Sequence, residues 1–249
     1  MAQAGLGGYV RDSRSPRYSL VFAVPLFLLY QGLIAVAPPG PGGGLRNGAD
    51  VILETLFIWV AGARGPLIFL TLLVVLGLWL AGRDWQAHGR DLRPQVFLLM
   101  LLEATVLALI FGTAVATIAS QLVRPTAAIG LPAQQALPSL GAQSKLMLSL
   151  GAGLYEELLF RVVLVGTLAW AARVVLGLRA TVAGVCAAVL GALIFSACHY
   201  IGTYGDRFQL YSFVFRTIAG LAFSGLYLLR GFGITAWTHA IYDAVLMLR

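Results

Sequence analysis

Charge is scarce in this chain: Asp, Glu, Lys and Arg together make up 11% of 249 residues, against 59% hydrophobic residues and a mean hydropathy of +0.87. A soluble domain of this length carries far more charge, whereas a polytopic helical membrane protein does not. The net charge of +7 does not point to nucleic acid. Its basic residues sit in short stretches between apolar runs, the pattern set by membrane topology and anionic head groups. Cysteine is nearly absent. Cys186 and Cys198 lie in one apolar run, about 18 Å apart if helical, too far for a disulfide. This excludes a disulfide framework and a cysteine-based metal motif. No His-Glu-x-x-His helix is present, and no internal repeat of the kind that builds many carriers.

What is present is a series of apolar runs. Leu20 to Ala37 follows Arg11, Arg14 and Arg17. Ala35-Val36-Ala37 resembles a signal-cleavage site, but the run is longer than a signal core and is read as a retained span. A Pro/Gly-rich loop from Pro38 to Gly44 follows. Val51 to Ala61, carrying Glu54, is short for a span: an interfacial helix, a re-entrant piece or half of a helix broken at Gly65-Pro66. Pro66 to Ala81 and Val96 to Leu122 are good spans, separated by a basic loop with Arg83, Arg90 and Arg93. Residues 124–144 read as an extramembrane loop. Lys145 to Val175, Thr181 to Tyr200, Leu210 to Leu229 and Ile234 to Leu248 complete the series.

The expected fold is all-α: one polytopic membrane bundle over residues 1–249, with about seven to eight transmembrane helices. Residues 1–18 form a cytoplasmic tail. With 51–61 not crossing, the N-terminus, the Arg83–Arg93 loop, Arg173/Arg179 and Arg230 share one side, cytoplasmic by the positive-inside rule.

Three charges interrupt the fourth long run, at Tyr155-Glu156-Glu157-Leu158-Leu159-Phe160-Arg161. Ionisable groups at hydrocarbon depth are costly, and so mark functional-site candidates. On a helix Glu157 and Arg161 pair at i,i+4, while Glu156 is turned about 100° away and free to face elsewhere. A buried ion pair that only fixes helix packing is the plain alternative. His88 belongs to a basic loop and reads as solvated. Phe195 and His199 share a face at i,i+4, so the ring can wall the imidazole; His239 and Asp243 do the same on the last helix. Each histidine alone reads as packing. Two imidazoles and several carboxylates on three apolar helices fit a water-activating site or a metal site.

The order Glu-Glu-x-x-x-Arg, Phe-x-x-x-His, His-x-x-x-Asp, over residues 145–249, resembles the CPBP family of CAAX prenyl endopeptidases and bacteriocin-processing Abi-type membrane proteins. The resemblance implies an intramembrane endopeptidase. Glu156 would activate water with help from His199, and His239 would stabilise the oxyanion with position 243 as its helper. Glu157, Arg161 and Phe195 would support the site. Asp243 stands where the prenyl endopeptidases carry asparagine. An ionised aspartate cannot donate to an oxyanion, so it is protonated, orients His239 or binds something else.

The rival chemistry places zinc on His199, His239, Glu156 and Asp243; a metal-free glutamate mechanism, with no cofactor, is the favoured expectation. Non-enzymatic alternatives are an immunity or binding protein on the same scaffold, or a proton-coupled carrier using Glu103. Glu103 and Arg216 read as an interhelical pair or a snorkelling side chain. The expected partners are membrane lipid and a membrane-associated peptide or protein substrate, with no nucleic acid. The expected location is the plasma (inner) membrane, crossed several times.

Overall fold

The computed structural model describes residues 6–37, 46–89, 91–123, 140–202 and 205–248. The expected loop at 38–44, Arg90 and residues 124–139 of the next expected loop lie outside them. All regular structure among the described residues is helical: α1 Leu6–Arg14, α2 Pro16–Ala35, α3 Gly48–Ala61, a 3₁₀ turn Gly62–Arg64, α4 Gly65–His88, α5 Pro94–Leu122 and α6 Ala142–Gly151, which runs on into a wider i→i+5 coil at Ala152–Val165. Then come α7 Gly166–Val174, α8 Ala180–Cys198, α9 Leu210–Arg230 and α10 Phe232–Leu248. Proline in the first turn starts α2, α4 and α5, where its missing N–H costs nothing. Asn47 caps α3, its side chain accepting from the Ala49 N–H.

Among the described residues five stretches are long and apolar enough to cross a membrane: Pro16–Ala35, Gly48–His88, Pro94–Leu122, Ala180–Cys198 and Leu210–Arg230. Their outer faces carry bare apolar side chains, with Val60 88% and Trp59 79% exposed, as lipid rather than water requires. The chain is an integral membrane protein. Two of the expected spans are not in this set: α10 has 17 residues, and the glutamate-bearing helix changes hydrogen-bond register along its length.

The 41-residue Gly48–His88 stretch is not one straight helix. The Phe57 and Phe69 rings are 5.3 Å apart, whereas twelve residues of continuous helix would separate them by about 18 Å. The chain turns back through Gly62, whose φ of 59° suits glycine. Of the three readings of residues 51–61, the structure therefore carries a helix folded back onto the start of α4. Its first turn reaches the motif helix.

Residues 1–5 of the expected tail lie outside the described residues, and the rest of it is largely helical and packed. Residues 6–14 form α1, which lies against α2, α5 and α9, and Arg17 and Tyr18 are buried in α2. Arg230 binds Glu103 at 2.6 and 2.7 Å, and Tyr9 donates to Glu103 at 2.5 Å. Glu103 is thus half of an interhelical pair, as its packing reading expects. Arg14 donates to the Leu228 carbonyl, Arg93 pairs with Asp12, and Arg17 lies 3.6 Å from Asp84. These contacts gather α1, the start of α2, the end of α4, the start of α5 and the end of α9 at one end of the bundle.

The last helix is its centre. α10 packs against α2, α5, α6, the wide coil and α9, and Ile234, Thr235, Ala236, Thr238, His239 and Ala240 are all buried. The approach of the wide coil to α10 depends on Gly153. A methyl there would sit 2.3 Å from the Ala236 carbonyl oxygen and 2.7 Å from Ala240 Cβ. Gly153→Ala is therefore expected to lower stability by about 1–3 kcal/mol, read as earlier unfolding of purified protein in detergent. A wild-type unfolding curve would contradict this packing.

Candidate active site

The three motifs meet where the wide coil, α8, α9 and α10 pack together. Glu157 is fully buried, and its Oε1 lies 2.7 Å from His239 Nδ1. Its Oε2 lies 3.2 Å from Arg161 Nε, the i,i+4 contact expected from the spacing. No hydrogen bond reaches the Arg161 guanidinium among the described residues. Its planar cation instead lies over the rings of Phe195 at 4.7 Å and Phe223 at 5.6 Å. Arginine tolerates this exchange of water for aromatic faces better than lysine, because its charge is delocalised and weakly hydrated. A buried arginine, a buried glutamate and an imidazole thus form one line of contacts joining the first motif to the third.

Glu156 points the other way. It is half-buried, and the Asn47 amide donates to its Oε1 at 2.9 Å. Its coil packs against both α8 and α10, the helices that carry His199 and His239. The two neighbouring glutamates therefore face different surroundings: one is locked among Arg161 and His239, and the other is turned toward both histidines and the start of α3.

His199 caps α8. Its Nδ1 is 2.8 Å from the Phe195 carbonyl, which can only accept, so Nδ1 carries the proton, and in the neutral ring Nε2 keeps its lone pair. The Phe195 ring packs edge-on to this imidazole at 4.9 Å and to Phe160 at 5.0 Å. On α10, His239 Nε2 is 3.6 Å from Asp243 Oδ2, near but beyond a hydrogen bond. The His239 ring stacks on Phe223 at 4.3 Å, and Phe223 stacks on Phe111 at 4.1 Å.

Residues 140–245 match the family model of the type II CAAX prenyl endopeptidases, Rce1-like. That segment belongs to this CPBP-type family. No curated protein and no solved structure matches the chain. The Rce1-like segment contains every motif residue from Glu156 to Asp243, and the family is one of proteases. Residues before 140, including Asn47, Glu103 and Phe111, lie outside it.

Around the Rce1-like core the structure adds groups that sequence patterns did not single out. Asn47 has a local signal, since Asn before an apolar run marks a helix start. Nothing in its neighbourhood tells of Glu156, 109 residues away. Phe223 has none, being one aromatic in an apolar helix. Arg216, which the sequence reads as half of an interhelical pair or a snorkelling side chain, instead pairs at 2.5 Å with Asp206 in the segment between α8 and α9. The Asp206 N–H donates to the His199 carbonyl, so this pair sits beside the second motif. Among the described residues no three His, Cys, Asp or Glu side chains are grouped to hold a metal ion. Both cysteines are free.

Removing the carboxylate from Glu157 strands a cation that is 1% exposed. Glu157→Gln is expected to cost about 3–5 kcal/mol of stability, seen by denaturant unfolding in micelles. Combined with Arg161→Met the loss should be smaller than the sum of the single changes, because the pair is removed together. Additive losses would mean that the two groups do not act as a pair.

Proposed function

We propose that this chain is an intramembrane endopeptidase that hydrolyses a peptide bond in a membrane-associated substrate with water activated by Glu156. The observation that carries the proposal is the packing of the Glu156-bearing coil against both α8, which ends at His199, and α10, whose His239 lies 2.7 Å from the adjacent Glu157, inside a segment that matches a protease family. Glu156 takes a proton from water as the water oxygen attacks the carbonyl carbon. His199 Nε2, unprotonated while Nδ1 serves the Phe195 carbonyl, accepts a hydrogen bond from the same water. The tetrahedral oxyanion receives a hydrogen bond from His239 Nε2. Because Nδ1 already donates to Glu157, His239 acts as imidazolium, flanked by Glu157 and Asp243. When the C–N bond breaks, Glu156 returns its proton to the leaving nitrogen, giving a free amine and a carboxylic acid. Such steps are commonly worth about 10²- to 10⁴-fold for the base and a few kcal/mol for the oxyanion donor.

In this reading Glu157, itself paired with Arg161, orients His239, Phe195 walls His199, and the Asp243 carboxylate, 3.6 Å from His239 Nε2, favours the imidazolium through its charge while leaving that N–H to the oxyanion. The glutamate-bearing helix and α10 also cross the membrane, making seven spans, with the basic end of the bundle and the N-terminus in the cytoplasm. The site opens in the plasma membrane, and the substrate is a peptide or protein presented there. The chemistry uses no metal.

The test begins with cells carrying the native protein or Glu156→Gln. One membrane-associated precursor is expected to persist uncleaved in the variant, and purified protein should cleave it with a loss of about 10³-fold on Glu156→Gln at unchanged membrane insertion. Full cleavage by the variant would remove Glu156 from the chemistry. Incubation with a strong chelator is expected to leave the purified activity intact. Loss restored by zinc would instead establish the metal version on His199, His239, Glu156 and Asp243.

A further inference from the structure

Within that reading of Glu156 as the base, we infer that Asn47, outside the family-matched segment, is the residue that positions it. The Asn47 side chain serves two partners at once. Its Oδ1 accepts from the Ala49 N–H at 2.9 Å as the cap of α3, and its Nδ2 donates to Glu156 Oε1 at 2.9 Å. The cap fixes which way the amide faces. An N–H needs an acceptor, so Oδ1 must turn toward Ala49, and the donor is left for the carboxylate. Glu156 Oε1 is thereby held, and Oε2 remains for the water.

The placement of the cap is itself built. Tyr30, fully buried, donates to Asp50 Oδ2 at 2.6 Å, and Arg46 bridges Asp50 and Glu54 with contacts of 2.5 to 2.8 Å. These lock the first turn of α3 against α2. A methyl on Gly151, one turn before Glu156, would meet Asn47 Cβ at 2.6 Å, so the helix carrying the base approaches the cap directly. Around Glu156 the remaining charged or titratable neighbours are His199 and Cys198 at the end of α8, His239 and Asp243 on α10, and Arg161 on its own coil. Asn47 is its hydrogen-bond donor among the described residues.

Because aspartate and serine cap helices about as well as asparagine, the two roles of Asn47 can be separated. Asn47→Asp retains the acceptor for Ala49 and replaces the donor with an acceptor. Asn47→Ser retains a cap and is too short to keep the same reach. The assay uses purified full-length protein in detergent, the precursor that accumulates in Glu156→Gln cells as substrate, and thermal unfolding in parallel. Asn47→Ser is expected to unfold as wild type with kcat lowered about 10- to 100-fold and KM little changed, whereas Asn47→Asp, which sets a second carboxylate against Glu156, is expected to lose kcat at least as far together with some stability. Asn47→Ala should lose kcat and thermal stability together. Wild-type kcat in Asn47→Asp and Asn47→Ser, with Glu156→Gln inactive, would overturn the positioning role and leave the base in place. If Asn47→Ser loses stability as Asn47→Ala does, Asn47 is structural only. Full cleavage by Glu156→Gln would instead overturn the base assignment, and the role of Asn47 with it.

Discussion

The contact between Glu157 and His239 is the one on which the arrangement of this protein depends. Both groups are withdrawn from water, and neither is tolerable there alone. A buried carboxylate needs a cation or donors, and Glu157 finds Arg161 on its own coil and His239 on α10. The cost of leaving any member unpaired fixes the rotation of the wide coil against the central helix. With Glu157 turned inward, its neighbour Glu156 must face the other direction, toward His199 and the start of α3. A single buried pairing therefore sorts two adjacent glutamates into different chemical surroundings.

Aromatic packing completes what ionic pairing leaves undone. The Arg161 guanidinium lies over Phe195 and Phe223 rather than in a shell of carbonyls. The same two phenylalanines touch the two histidines: Phe195 packs on His199, and Phe223 stacks on His239. A cation and two imidazoles are thereby held by one aromatic layer spanning α8 and α9. This explains how a site rich in charge survives in a bundle with so few polar residues. The second polar cluster, Glu103 with Arg230 and Tyr9, works differently. It ties α1, α5 and α9 together at the basic end of the bundle and has the character of a structural clasp.

Much of this was legible along the chain. Apolar runs announce helices because a membrane span must satisfy its backbone internally, so α2, α5, α8 and α9 fall close to their expected bounds. The pairs Glu157/Arg161, Phe195/His199 and His239/Asp243 are i,i+4 neighbours, and local helix geometry suffices to bring them together. Residues 51–61 were ambiguous for a physical reason. Eleven mostly apolar residues are compatible with an interfacial helix, a re-entrant piece or half of a broken helix, and it is packing on α4 that folds them back.

What the sequence alone determined is the class, the family motifs and the pairs within single helices, because hydropathy and helical periodicity are local quantities. Only the tertiary structure decided that Glu157 rather than Glu156 binds His239, that Asn47 meets Glu156, that Phe223 covers both Arg161 and His239, and that Arg216 finds Asp206 beside His199. Those choices depend on the rotation and depth of whole helices relative to one another. Those in turn are set by close approaches such as Gly153 on Ala236 and by the cost of an unpaired buried charge, neither of which has a signature at any one position in the chain.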